Sequence, residues 1–570
     1  MGEMHGNASH IKKIRIFTRG IYMKKWLSLM LLSLMVIVLA ACTANDDDEA
    51  SKTEEDSTAN TETKEETEEK VLYLNNSNEP TSFDPSIGFD SISWDPLNNL
   101  MEGLTRLDKD INPQPAMAEK IDVSEDGLTY TFHLRDAKWS NGDPVTAGDF
   151  VYGWLHMLNP ETASYSAFLG TSYIEGALAY NEGTGAAEDV AIKAVDEKTF
   201  EVKLLAPFDG FLSMITLPTF FPVNEAVATA TPTWFADADT FVGNGPFNLT
   251  AWSHEEKMTF VKSDTYWDKD AVSLDRIEWA MVNDSNTSYQ MYQTGELDIA
   301  GIPAELADTL LDDPEAIVYD LAGTHFYRFN VTKEPFTNKK IRQAFSYAIN
   351  AQEIVDYVVK TGNKTANGFV AYGFSGPDGK DFRETQGPLV SFDAEKAKQL
   401  LAEGMAEEGW TTLPAVELTY NTSDILKSVA ETMQSQLKQT LGVDVTIQNM
   451  EWAVFREDQV ALNLQFSRST FGHDYADPIN ALENFTTDNV SMNRTGWSNA
   501  EFDGLITKAR QEVDAQARWN YLLEAERILI EEAPLVPLYF YNGAVLQKST
   551  VTDIVRPPVG SIELKNAKKN

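Results

Sequence analysis

The sequence predicts a large α/β body of more than one lobe. Three observations carry that prediction. The chain has 570 residues, too long for one ordinary domain and suited to roughly three or four. Apolar residues make up 43% and aromatic residues 11%, enough to build large cores. Between Val416 and Ile447 the pattern runs strand, helix, strand, the order of a parallel and right-handed β-α-β crossover.

Taken in chain order, Gly127 to Arg135 alternates, with Tyr130, Phe132 and Leu134 on one face, as a half-buried strand does. Asn141-Gly142 marks a turn, and Thr146-Ala-Gly-Asp149 reads as a capping box that opens a helix through Phe150, Trp154 and Leu158. Ala191 to Leu205 predicts a hairpin turning at Asp196-Glu-Lys-Thr199. Asn338 to Asn350 places Ile341, Phe345 and Ile349 on one helical face, and Asn350 caps a further helix. Asp393 caps a helix through Leu400, Leu401 and Met405 that stops near Gly409. Val416 to Tyr420 is a strand, Ile425 to Leu441 a helix ended by Gly442, and Val443 to Ile447 the next strand.

The amino-terminal seventy residues give an address. Met23-Lys24-Lys25, the expected start, precedes Trp26 to Leu39, fourteen residues with only serine as a polar break. That length suits a signal-peptide core better than a bilayer span. It ends in Leu39-Ala40-Ala41-Cys42, which resembles a bacterial lipobox and implies cleavage before a lipidated Cys42. By itself Cys42 is also a small residue closing an apolar run, but it is the chain's single cysteine. Thr43 to Lys70 holds no aromatic or β-branched aliphatic residue and reads as a disordered acidic leash. The expected location is the extracytoplasmic face of a cell membrane, in a Gram-positive type of bacterium, held through lipid.

Composition excludes several functions. With 46 Lys and Arg against 87 Asp and Glu, a net −41, the chain repels nucleic acid and gains nothing from an anionic membrane surface. One cysteine precludes an internal disulfide or a cysteine-rich metal cluster, and the seven histidines form no zinc-protease motif. Gly243-Asn-Gly245-Pro lacks the lysine of a phosphate cradle and reads as a turn. Asp108 to Asn112 starts like a calcium loop but meets Pro113 where glycine is required. Acidic pairs such as Glu255-Glu256 are expected by chance at this composition. The sequence therefore predicts no enzyme and no cofactor.

An ordered series of short motifs runs through the body. It includes Asn78-Glu-Pro-Thr-Ser-Phe-Asp-Pro85, Leu100-Met-Glu-Gly-Leu104, Tyr130-Thr-Phe-His-Leu-Arg-Asp-Ala-Lys-Trp-Ser-Asn-Gly142, Gly243-Asn-Gly-Pro-Phe247, Asp474-Tyr-Ala-Asp-Pro478 and Pro534-Leu-Val-Pro-Leu-Tyr-Phe-Tyr541. In these, from about Val71 to the C terminus, the chain resembles the extracellular solute-binding proteins of peptide ABC importers. The resemblance implies a periplasmic-binding-protein-like fold of two ligand-closing lobes plus an extra domain. It divides the body into lobe I (71–101, 188–283 and 536–570), domain II (102–187) and lobe III (284–535), after a signal peptide (1–41) and linker (42–70). It also implies a monomeric receptor that captures oligopeptides and hands them to a membrane permease. Dipeptides, nickel or an oligosaccharide stay open as ligands within such a family, as do a signalling role for peptide pheromones and, from another class, an extracytoplasmic enzyme.

A receptor for peptides of varied sequence must hold what peptides share. A strand edge takes the backbone, a carboxylate the ammonium, and a guanidinium the carboxylate. The resemblance puts Asp474 at the ammonium, Arg468 at the carboxylate and Trp452 on a pocket wall. It puts Phe471, Gly472 and the stretch Phe89, Asp90, Ser91 against the peptide backbone, and Tyr165 in the cleft lining. Alone, Asp474 also reads as a turn residue, Arg468 as an ion-pair arginine and Trp452 as core. Three cationic or imidazole contacts of the enteric-type relatives align with Ser346, Leu426 and Gln459, so the carboxylate is expected to be held differently and longer peptides to be favoured.

Overall fold

The computed structural model describes residues 69–108, 111–489 and 492–570. The signal peptide, Cys42 and most of the linker lie outside the described residues, and the body from Glu68 to Asn570 forms one compact unit.

The body opens with β1 (Val71–Asn75) and α1 (Ser91–Leu100). Next come β2 (Ala118–Val123), β3 (Thr129–Leu134) and α2 (Ala147–Leu158). Helix α2 starts where the capping box predicts: the Asp149 carboxylate accepts from the Thr146 backbone N–H at 2.8 Å and hydroxyl at 3.0 Å. The expected hairpin is β4 (Ile192–Asp196) and β5 (Thr199–Lys203). It is followed by β6 (Phe247–Ser253), β7 (Lys257–Lys262), β8 (Arg276–Ala280), β9 (Ile299–Gly301) and the long β10 (Ala316–Phe329). Helix α3 (Lys339–Ala348) is capped by Asn338, whose side chain accepts from Lys340 and Ile341. After β11 (Lys364–Thr365) and α4 (Ala394–Glu407) comes the crossover, β12 (Val416–Asn421), α5 (Asp424–Leu441) and β13 (Val445–Met450). Gly442, at φ 71°, ends α5 as expected, because only glycine enters the left-handed region without a Cβ penalty. Its exit loop takes Val443 and Asp444, so β13 starts two residues beyond the predicted strand. The chain continues through α6 (Trp452–Val460), β14 (Phe466–Gly472), α7 (Ala500–Gln511), α8 (Ala515–Glu532) and β15 (Leu535–Gln547).

Three main sheets result. One has the order β1-β8-β7-β6 and another β2-β3-β5-β4. The largest has seven strands, β9-β15-β10-β14-β12-β13, with β11 on β15. Pairing cuts across two of the expected boundaries. The hairpin β4–β5 adds to β2 and β3, so 192–203 joins the sheet of domain II rather than lobe I. Strand β15 sits between β9 and β10, inside the sheet of lobe III. The chain end returns to the first lobe, where Lys569 donates to the Val71 carbonyl and the Asp298 carboxylate, each at 2.7 Å.

Aromatic packing fixes the large sheet. Phe466 of β14 lies among Phe329, Phe336 and Phe345, with centroids 4.7, 5.7 and 6.2 Å away, and all four side chains are buried. The glycine turn at 243–245 is a docking point. Gly245 N–H donates to the Leu100 carbonyl at 3.0 Å, and a Cβ there would lie 2.5 Å from backbone atoms of Leu100 and Met101. Gly245→Ala is expected to lower stability by about 1–3 kcal/mol through overpacking against a rigid helix end, read as a lower urea midpoint with an unchanged m-value.

Candidate functional site

Strand β14 is paired on one edge along its whole length and on the other almost nowhere. Phe466 to Gly472 pair antiparallel with Phe329 to Gly323 of β10. Strand β12 covers the opposite edge only at Phe466 and Ser467. His473 N–H donates to the Ala322 carbonyl on the β10 side, so alternation turns the backbone groups of Arg468, Thr470 and Gly472 to the open edge. The Arg468 carbonyl is taken by Gln459 Nε2 at 2.9 Å. Thr470 and Gly472 keep theirs for an incoming strand, and a Cβ built on Gly472 would meet nothing within 4 Å. This corrects the expectation for Phe471. Its parity directs its backbone at Thr324 of β10, and its ring packs in the core against Phe369 at 6.1 Å.

Asp474 follows directly. Its N–H donates to Asn480 Oδ1 at 2.8 Å, and Asn480 Nδ2 reaches back to its carboxylate at 3.5 Å. Among the described residues no cation pairs with it. Burial, with the Glu483 carboxylate adding repulsion against the relief from Asn480, lifts its pKa from 3.8 to about 6. The neighbouring acids are satisfied: Glu483 by Arg510 at 2.9 Å and Asp477 by Arg518 at 2.8 Å. His473 supplies no charge, because burial presses its pKa to about 3. Its ring lies 4.4 Å from Phe374.

Arg468 projects from the opposite face of β14 to Phe471. Its Nη1 donates to Asn421 Oδ1 at 3.2 Å, its Nε is buried without a partner, and the Tyr541 phenol bonds it. The ion-pair reading fails, since among the described residues no carboxylate is within ion-pair distance. Gln459 lies beside it, donating also to Ser467 Oγ at 3.0 Å, and its Oε1 accepts from Arg494 Nη1 at 3.3 Å. Arg328, fully buried, donates to Ser469 Oγ at 2.9 Å and the Met492 carbonyl at 2.8 Å; burial first, then the Arg494 charge, lowers its pKa to about 9. Of the aligned departures only Gln459 touches this cluster. Leu426 packs in the core under the large sheet, and Ser346 lines a separate cavity of about 160 Å³ with Gln343, Tyr347 and Glu531.

Aromatic side chains are exposed around these groups. Phe89 and Tyr165, 45% and 64% exposed, stack at 4.8 Å. Trp452 is 51% exposed at the start of α6 and touches Phe455 at 6.2 Å, which overturns the core reading. Asp90 spends its carboxylate on Ser93 N–H and the Thr81 hydroxyl. Ser91 lines a cavity of about 240 Å³ behind α1 with Asp95, Trp279 and Arg556. The structure thus joins Arg468, Gly472 and Asp474 on one strand, with Gln459 and Trp452 on the adjacent helix, and pairs Phe89 with Tyr165. Among the described residues no group of His, Cys, Asp or Glu could hold a metal ion. The site's chemistry suits an extended ligand that offers a backbone, a cation and an anion.

Sequence reasoning missed Arg328, Arg456 and Arg494. A signal existed: none of them, nor Arg468, has an acidic residue three or four positions away, unusual in so acidic a chain.

Comparison with known proteins places the chain. The family model "Bacterial extracellular solute-binding proteins, family 5 Middle" matches residues 112–493. The chain belongs to that family of bacterial extracellular solute-binding proteins. Over 503 residues it is 58% identical to the dipeptide-binding protein DppE of Bacillus subtilis, covering 88% of this chain and 92% of the relative. Among solved structures it is similar to Listeria monocytogenes OppA bound to peptide (33% identity, TM-score 0.68, 88% of this chain and 99% of that one). It is also similar to the unliganded open form of MppA, a periplasmic murein tripeptide-binding protein (28%, TM-score 0.77, 88% and 98%). The overall shape is thus nearer to an open, unliganded relative than to a peptide-bound one, despite lower identity.

The unpaired Asp474 carries a stability signature. Its raised pKa means that folding favours the protonated acid, so the ligand-free protein loses stability as pH rises from about 4 through about 6. Asp474→Asn is expected to be more stable than the parent at pH 7 by about 1–3 kcal/mol, and no more stable near pH 4. Urea unfolding of both proteins at the two pH values reads the difference, and a less stable variant at pH 7 would mean that the carboxylate has a cation after all.

Proposed function

We propose that the protein is a lipid-anchored receptor that binds oligopeptides between its lobes and delivers them to an ABC permease. The observation that carries this reading is the open edge of β14, flanked by a carboxylate without a counterion and by guanidinium groups. Thr470 and Gly472 hydrogen-bond the peptide backbone as an added strand. Asp474 takes the ammonium, and Trp452, Phe89 and Tyr165 supply apolar walls that adapt to varied side chains. The peptide-binding names of the relatives support the same reading. Following the sheets, we draw the second domain to extend through 203 and lobe III to include β15. The extra length of a bound peptide distinguishes this function from the dipeptide reading that the name of the 58% identical relative favours. We place the anchor at Cys42: Cys42→Ser is expected to release the protein from cells into the medium and to abolish labelling by a palmitate analogue.

Two measurements test peptide binding. Mass spectrometry after acid release of the purified protein is expected to show mixed-sequence peptides, depleted in Asp474→Ala. A single small molecule, or an empty protein indifferent to the substitution, would overturn the site. Its length distribution separates di- from oligopeptides. Titration calorimetry adds the pH dependence. Because the ammonium requires ionised Asp474, affinity is expected to be flat above pH 7 and to fall about tenfold between pH 7 and pH 5 as the acid protonates around its pKa of about 6. Asp474→Asn is expected to bind weakly and to lose that slope.

A further inference from the structure

Four arginines gather at the end of β14 away from Asp474. Arg328 and Arg468 stand on adjacent strands, Arg456 on α6, and Arg494 just beyond Asn493. The chain as a whole carries about two acids for each base, yet Arg328, Arg456 and Arg468 have no carboxylate partner among the described residues. Uncompensated guanidinium groups side by side are costly, and burial followed by Arg456 repulsion lowers the pKa of Arg494. An arrangement of this kind persists where an anion arrives from outside.

The two candidates for receiving it differ in placement. Arg468 lies on the face of the sheet that carries Tyr327 and Tyr539, tied to Asn421 and Tyr541. Arg494 is within electrostatic reach of Arg456 and of the Tyr165 hydroxyl, and so faces the exposed aromatic pair Phe89–Tyr165. Gln459 holds it there. Fixed by Ser467 Oγ and the Arg468 carbonyl through Nε2, the amide has one free oxygen, and that oxygen accepts from Arg494 Nη1 at 3.3 Å. A neutral acceptor orients the guanidinium without neutralising it, which a carboxylate in its place would do. Gln459 is the position at which relatives of the enteric type carry a cation, so here the charge has moved to a neighbouring segment.

We propose that Arg494, with Arg456 beside it, receives the carboxylate at the far end of the bound ligand, and that Gln459 is its positioning residue. This rests on the peptide-binding reading. Arg494 is therefore the residue that measures ligand length against the ammonium site at Asp474.

The test uses titration calorimetry with alanine peptides of three to five residues, each as the free acid and as the C-terminal amide. The parent protein is expected to prefer the acid roughly tenfold or more at the length that reaches Arg494, as a charge-assisted bond predicts. In Arg494→Gln acid and amide are expected to bind within about twofold, in Arg456→Gln the preference is expected to shrink, and in Arg468→Gln it is expected to survive. Arg494→Lys, which keeps the charge, is expected to retain part of it and guards against loss through misfolding. An acid preference that Arg494→Gln leaves unchanged at every length, or that Arg468→Gln alone removes, overturns the assignment while leaving peptide binding intact. A parent protein that binds none of the peptides overturns the peptide reading and this assignment with it.

Discussion

Everything at the site depends on one strand that is paired on one edge only. Strand β14 is held by seven residue pairs with β10 and anchored through Phe466 in an aromatic core, so its position is rigid. Strand β12 leaves it after Ser467. From there on, alternate backbone groups have no strand beside them. An exposed edge is a hazard for aggregation unless it is short or flanked by charge; this one is both, with Arg468 inside it and Asp474 just past its end. The same features that protect the edge prescribe what pairs with it.

The charges follow a consistent division. Where an ion pair serves the fold, it is complete: Arg383 and Glu526 are both fully buried, and Glu526 Oε1 also accepts from the N–H groups of Phe369 and Val370. Beside the open edge the charges are incomplete. Asp474 has only an amide partner, and Arg328 rests on a hydroxyl and a carbonyl. Leaving a buried charge without its opposite costs more than any single hydrogen bond returns. The ligand-free protein therefore carries an electrostatic penalty, distributed with one sign at each end of β14, which a zwitterionic ligand relieves.

Local chemistry made most of the fold legible. The capping box at Thr146, the Asn338 and Asp393 caps and the left-handed Gly442 fixed helix ends within about a residue, because caps are contacts between near neighbours in sequence. Sheet membership was not legible. That β4–β5 joins β2–β3, and that β15 enters the largest sheet, are long-range pairings with no local signature. The site shows the same split. Asp474 and Gly472 were identified through their flanking motifs, whereas the placement of Phe471 turned on the parity of one strand, which a one-residue shift inverts. Arg494 was invisible because its partner Gln459 is 35 residues away.

Contacts between the second domain and lobe III are concentrated beside the ammonium site. Tyr173 meets the Tyr475 hydroxyl at 2.8 Å and Glu483 at 3.3 Å, Ser213 Oγ accepts from Ala476 N–H at 3.2 Å, and Arg518 lies 3.6 Å from Asp209. These bonds flank Asp474 in the ligand-free, open shape, so that end of the cleft is already set. At the Arg494 end the approach to Tyr165 is longer-ranged. A ligand anchored at Asp474 then has its differential interactions with the open and closed states at its other end, where a carboxylate draws the arginine cluster toward Phe89 and Tyr165. Only such differential contacts shift a conformational equilibrium. On the proposed reading, a ligand too short to reach the arginines fills the ammonium site without driving closure, so length selection and the closing of the lobes arise from the same few guanidinium contacts.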